Sequence, residues 1–363
     1  MMPRGRVSWL AVLLGMAGVA ACDGRVSPNA ATQGTEGDEA GAQPDTAPPS
    51  VQAGGPGMTS CGPGGSGSES CAVSAAIPGG PFMRDDDNGM VSTESAGQAT
   101  LSSYRLDRYE VTVGRFRQFV SATAAGWLPA SGSGKHVHLN GGQGLVNSAD
   151  TSGTSYEAGW DNSWDVNFAT SASGWDSNLS CNGLTTWTPS PGTDENRPIN
   201  CVDWYEAYAF CIWDGGFLPS DAEWNYAASG GSEQRNFPWS SPATMSDIDC
   251  SYANYGGGSS GLAMFCTASG TNDVGSESPK GDGKWGQSDL GGNVWEWVLD
   301  YFGNSGTCVD CANTTTSPPD SANGRMNRGG GLGAGFSLEV NTINSSPASD
   351  RDIEQGFRCA RAP

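Results

Sequence analysis

The chain has 363 residues, room for one large domain or two modest ones. Hydrophobic residues make up only 36%, and there are 54 glycines and 13 tryptophans. This composition predicts a loop-rich domain with large aromatic rings supplying much of the core. The formal charge is −21, and Lys135, Lys280 and Lys284 are the only lysines. That balance argues against a nucleic-acid partner, whose phosphates would be repelled. The spare carboxylates leave two readings open, plain solubility or calcium binding.

Residues 1–21 place Arg4 and Arg6 before an apolar run that closes on small residues, which predicts a secretory signal. The signal ends Val19-Ala20-Ala21-Cys22, which resembles a bacterial lipobox. The resemblance implies lipidation of Cys22 and a membrane contact through the anchor, on an exported protein of the cell envelope. It leaves inner and outer membrane open. The alternative is an ordinary cleaved signal with a chance cysteine. Residues 22–74 read as a disordered Gly/Pro/Ala-rich tether, since they hold almost nothing to bury.

Eleven cysteines occur. With Cys22 assigned to lipid, ten remain, and an exported chain would use them as five disulfides. Nearness in the chain suggests Cys61–Cys71, Cys181–Cys201, Cys250–Cys266 and Cys308–Cys311. The Cys308-Val-Asp-Cys311 spacing reads as a structural bridge rather than a redox or zinc site, because no second such motif accompanies it. His136 and His138 would share a face if extended, but no third ligand is evident, and they read as loop or edge residues.

Residues 75–363 form the predicted domain. Three helices are legible in it. Thr112 can cap a helix in which Val113, Phe116, Phe119 and Val120 follow the helical period. Asp203 with Glu206, and Ser220 with Glu223, each make a capping-box pattern, followed by Gly215 and Gly230 at the stops. The remainder reads as loops and short strands. In DLGGNVWEW (289–297), a period of two puts Trp295 and Trp297 on one face and Glu296 on the other. Trp160, Trp164, Trp175 and Trp187 sit in a tryptophan-rich stretch, as core anchors or as the lining of a groove.

IPGGPFMRDDDNG (77–89), YRLDRYEVTVGRFRQFV (104–120), INCVDWYEAYAFCIWDGGFLPSDAEWNYAASGG (199–231), DLGGNVWEW, NRGGG and GFRCAR resemble, in order, the signature blocks of the formylglycine-generating enzyme, or sulfatase-modifying factor, family. The resemblance implies an α+β, modified C-type-lectin-like fold with few helices and small twisted sheets, stapled by disulfides and calcium. It implies a calcium site with side-chain oxygens from Asp289 and Glu296 and carbonyls from Gly292 and Val294, a donor set suited to a hard cation. An Arg-paired Glu296, or Glu296 as a solvated edge residue, is the alternative. A second calcium site would draw on Asn254 and Tyr255, but the aspartate it needs about fourteen residues on is missing. The resemblance also implies a Cys211–Cys359 disulfide.

The family's oxidase turns a cysteine of a sulfatase into formylglycine with oxygen and copper(I). It needs two thiolates just after the Arg-Gly-Gly block, since soft sulfur selects copper(I). Here Arg328-Gly329-Gly330 is followed by a stretch with no cysteine; Ser337 and Glu339 are no substitutes. No catalytic residue is therefore assigned, and copper is not expected. The expectation is a calcium-stapled binding module for an unidentified protein, peptide or glycan; the alternative is a formylglycine-generating oxidoreductase.

Overall fold

In the computed structural model, the described residues are 56–85, 97–150, 152–256, 266–267, 270–303, 306–315, 324–333 and 338–363. The signal, Cys22 and most of the tether lie outside them. The tether reading to residue 74 is too long. Residues 56–74 pack on the domain: Cys61 and Cys71 are buried and joined, and Gly57 N donates to Asn196 Oδ1 at 2.6 Å. A disulfide and hydrogen bonds to Asn196 and Arg108 tie down a stretch too poor in apolar residues to order itself.

The strands and helices in chain order are β1 (Ser74–Ile77), β2 (Gly80–Arg84), β3 (Gly97–Leu101), β4 (Tyr104–Asp107), α1 (Val113–Ala124), β5 (Val146–Asn147), α2 (Ala172–Asn178), α3 (Trp204–Trp213), α4 (Asp221–Ala228), β6 (Trp295–Tyr301), β7 (Cys308–Val309), β8 (Cys311–Ala312), β9 (Arg325–Arg328), β10 (Ile343–Ser346), β11 (Gln355–Gly356) and β12 (Ala360–Arg361). They build four small sheets, ordered β1-β4-β12, β10-β9-β6-β11, β2-β3-β7 and β5-β8. The fold is mixed, with few helices, as the loop-rich composition predicts.

The helix starts follow from their caps. Thr112 accepts from Arg115 N at 3.3 Å, and both capping boxes form, Asp203 with Glu206 and Ser220 with Glu223. α2 was not legible. Its Gly and Ser residues are poor helix formers, and burial of Trp175 against Phe116 and Phe119 stabilises it instead.

The largest core cluster gathers α1, α3 and the tryptophan-rich stretch: Phe116, Phe119, Trp160, Trp175, Trp187, Trp204 and Phe210. Three of the four tryptophans left open by the sequence are thus core residues, and Trp164 is half-buried. Five disulfides join Cys61–Cys71, Cys181–Cys201, Cys211–Cys359, Cys250–Cys266 and Cys308–Cys311. The Cys211–Cys359 bridge fastens α3 to the chain just before β12, across a sequence separation of 148.

Candidate functional site

The loop before β6 is wound through left-handed backbone: Asp289 has φ +59°, Gly292 +91° and Asn293 +64°. At Gly292 a Cβ would come within 2.6 Å of the Asn254 carbonyl, so only glycine lets the two segments approach. Gly292 N donates to Gly329 O at 2.9 Å, which ties this loop to the Arg-Gly-Gly bend.

This winding turns Asp289 inward. Its Oδ2 accepts from Gly275 N at 2.6 Å, and its carboxylate lies near that of Glu277. Burial, and then the Glu277 charge, push Asp289 up to about 8; burial raises Glu277 as well. Two neighbouring carboxylates drawn out of water are stabilised by a shared proton or a cation. Glu110 stands nearby, holding Asn293 Nδ2 at 2.7 Å and Val294 N at 3.2 Å. Burial and the Asp289 charge hold Glu110 well above the ordinary carboxylate range. Glu277 Oε2 and Asn254 Oδ1 are buried without a partner. These orphaned oxygens suit a hard cation, so Asp289 fits a calcium frame and Glu277, which the sequence reading missed, fits beside it. Asn254 Nδ2 donates to Gly270 O at 3.0 Å, and the Tyr255 carbonyl accepts from Cys266 N at 2.9 Å.

Glu296, placed by the resemblance in the calcium set, is committed elsewhere. Arg358 Nη2 donates to Oε1 at 2.6 Å, Arg358 Nε to Oε2 at 2.7 Å and Trp224 Nε1 to Oε2 at 2.8 Å. Glu296, Arg358 and Trp224 are all buried, and Trp297 is buried on the opposite face of β6. Of the readings the sequence left for Glu296, this arrangement is the arginine pair.

The bend after β9 is a packed scaffold. Arg328 is clamped between Asp85 and Asp221, with nitrogen–oxygen distances of 2.6 Å to each. A Cβ on Gly331 would come within 2.9 Å of Trp295 Cδ1, and Leu332 and Leu338 are buried. Ser337 lies outside the described residues. All ten cysteines of the domain are in disulfides, so no thiolate pair stands near this bend.

Elsewhere, three potential ligands converge at Asp107, Asp214 and Cys359. Cys359 is in a disulfide, and both aspartates are bound by Arg115 and Arg361, which makes this a structural ion network. His136 is no edge residue. It sits fully buried in its loop, with Nδ1 3.0 Å from Glu157 and Nε2 3.0 Å from Glu223. Although burial alone would lower it, the two carboxylates raise His136 to about 10. No signal within a few residues of His136 announces partners 21 and 87 positions away.

Residues 64–363 match the family model described as sulfatase-modifying factor enzyme 1-like domain. The formylglycine-generating enzyme of Thermomonospora curvata is 27% identical over 318 residues, covering 79% of this chain and 93% of that protein. The mouse inactive C-alpha-formylglycine-generating enzyme 2 is 25% identical over 296 residues, covering 78% and 84%. Among solved structures, PvdO from Pseudomonas aeruginosa is 21% identical, covering 79% and 93%, with a TM-score of 0.49. With 300 of its residues inside the family model and the family's blocks folded into one disulfide-stapled domain, the chain belongs to the sulfatase-modifying factor family.

Proposed function

We propose that this protein is an exported, lipid-anchored member of the family that does not carry out copper-dependent cysteine oxidation. It serves as a calcium-stapled binding module for a protein, peptide or glycan on a modified C-type-lectin-like frame. One observation carries the reading: ten of the eleven cysteines are bridged, and the eleventh is Cys22, in the lipobox-like stretch. Copper(I) needs soft thiolates, and the residues of this domain offer none, so no oxidase step is assigned. The inactive mouse relative supports the idea that the fold persists without the activity. Five disulfides agree with an oxidising compartment, hence with export.

Calcium would be held at Asp289 and Glu277, with Asn254 and backbone carbonyls adding oxygens; it would neutralise two neighbouring carboxylates and fasten the loop before β6. The test is a thiol count on the mature protein, together with incubation with copper(I), oxygen and a cysteine-containing sulfatase peptide. No free thiol and no aldehyde product are expected. A pair of reduced, copper-binding thiols, or conversion of the peptide, would favour the formylglycine-generating oxidoreductase instead.

A further inference from the structure

The bridge between β7 and β8 is the shortest of the five, with Cys308 and Cys311 three positions apart. The others span 10, 16, 20 and 148 positions. A bridge stabilises a fold by closing a loop, more so for a longer loop, and by linkage the fold stabilises the bridge to the same extent. Cys308–Cys311 therefore draws least from the fold, which makes it the easiest of the five to reduce. It is also within reach of solvent: Cys311 is buried, but Cys308 is half-buried and the adjoining Val309 is 61% exposed. Cys61–Cys71 and Cys211–Cys359 are buried at both ends. Cys181 and Cys250 reach the surface as well, but each closes a longer loop.

The backbone here is held without help from sulfur. Cys308 lies beside Ala99 in the β3–β7 pairing and Cys311 beside Val146 in the β5–β8 pairing, so the motif steps from one sheet to another. Asp310 makes the step, with φ +43°. Its N donates to the Thr100 carbonyl at 2.9 Å, and its carbonyl accepts from Val146 N at 2.8 Å. Its carboxylate accepts from Ser102 N at 2.6 Å and from Ser102 Oγ at 2.8 Å. Just beyond the motif, Asn313 N donates to Asp300 Oδ1 at 2.6 Å. The structural work expected of this bridge is thus shared with hydrogen bonds on both sides of it. Opening the sulfur–sulfur bond leaves the two strands in place and the two sulfurs near enough to rejoin.

We propose that Cys308–Cys311 is a thiol–disulfide exchange site that takes two electrons from a dithiol. A thiolate of the dithiol attacks Cys308 Sγ, on the half-buried residue of the pair, and forms a mixed disulfide. The Cys308–Cys311 bond breaks, and Cys311 leaves as a thiolate that takes up a proton. The second thiolate of the dithiol then attacks its own sulfur in the mixed disulfide and releases Cys308, which is protonated in turn. The dithiol ends as a disulfide and the protein pair as two thiols; the two protons lost by the one are matched by the two gained by the other. The site uses neither calcium nor copper. It is closed in the resting protein, so its failure would leave the proposed function standing.

The test equilibrates the purified mature protein with graded ratios of reduced to oxidised dithiothreitol, alkylates the free thiols and maps them by mass spectrometry. Cys308 and Cys311 should be labelled together, at a ratio about tenfold or more below that which opens any other bridge. Tryptophan fluorescence should stay native at that ratio. In Cys311→Ser the remaining Cys308 thiol should form a mixed disulfide with oxidised glutathione about tenfold or more faster than the buried Cys311 thiol does in Cys308→Ser. The measurement on the parent protein stands whether or not the variants fold. Another bridge opening at the same or a lower ratio, opening that coincides with loss of native fluorescence, or equal reactivity of the two variants would each overturn the proposal.

Discussion

Glu296 and Arg358 meet in two parallel hydrogen bonds, of 2.6 and 2.7 Å, with both side chains sealed from solvent. Arg358 is further spent on the carbonyls of Ser288, Asp107 and Arg108, so this one cation ties β6, β4 and the Asp289 loop together. Removing one partner would strand a buried charge. Glu296→Gln is expected to cost about 3–5 kcal/mol of stability, and the double change with Arg358→Met to cost less than the sum. Urea unfolding of the four proteins measures it; strict additivity would mean that the pair is not a unit.

The Cys211–Cys359 bridge closes the longest loop of the five. By loop-closure entropy it contributes about 5 kcal/mol, with engineered and native examples usually giving less. Replacing both cysteines by serine should lower the denaturation midpoint more than opening Cys308–Cys311, whose partners are three residues apart. Equal midpoints for the two variants would count against this ranking.

Calcium addition should raise the melting temperature and chelation should lower it, since a ligand that binds only the folded state stabilises it by about 2.7 kcal/mol at a hundredfold excess over Kd. Asp289→Asn and Glu277→Gln should each blunt that response, while relieving the repulsion between the two carboxylates in chelator. A melt indifferent to calcium in the parent protein would dismiss the metal.

His136 is held protonated between Glu157 and Glu223, at about 10 against an ordinary value of 6.5. Because the folded-state value is the higher one, its contribution is complete below about pH 6.5 and is lost as pH rises through 10. Stability should therefore fall over that window more steeply in the parent than in His136→Gln. The same substitution should cost about 3–5 kcal/mol at neutral pH, because it leaves two buried carboxylates without their cation. Parallel stability–pH curves for parent and variant would show that His136 does not titrate in this way.

The sequence alone determined the features whose causes lie within a few residues. The caps at Thr112, Asp203 and Ser220 and the helices they start are local chemistry. The missing thiols after Arg328 are a plain matter of composition. α2 escaped because tertiary burial of Trp175 overrode weak helix propensity, and residues 56–74 escaped because a disulfide ordered a stretch that reads as a tether.

Charge pairing was decided only by the tertiary structure. Glu296 finds Arg358 across 62 positions, His136 finds Glu223 across 87, and Asp289, in left-handed backbone, comes under the charge of Glu277. Arg325 has no carboxylate within ion-pairing distance among the described residues and is held between Trp204 and Tyr301 instead. Periodicity and capping act along the chain over about one helical turn, whereas a buried charge answers to whatever the fold brings within a few ångströms, and no local pattern encodes that.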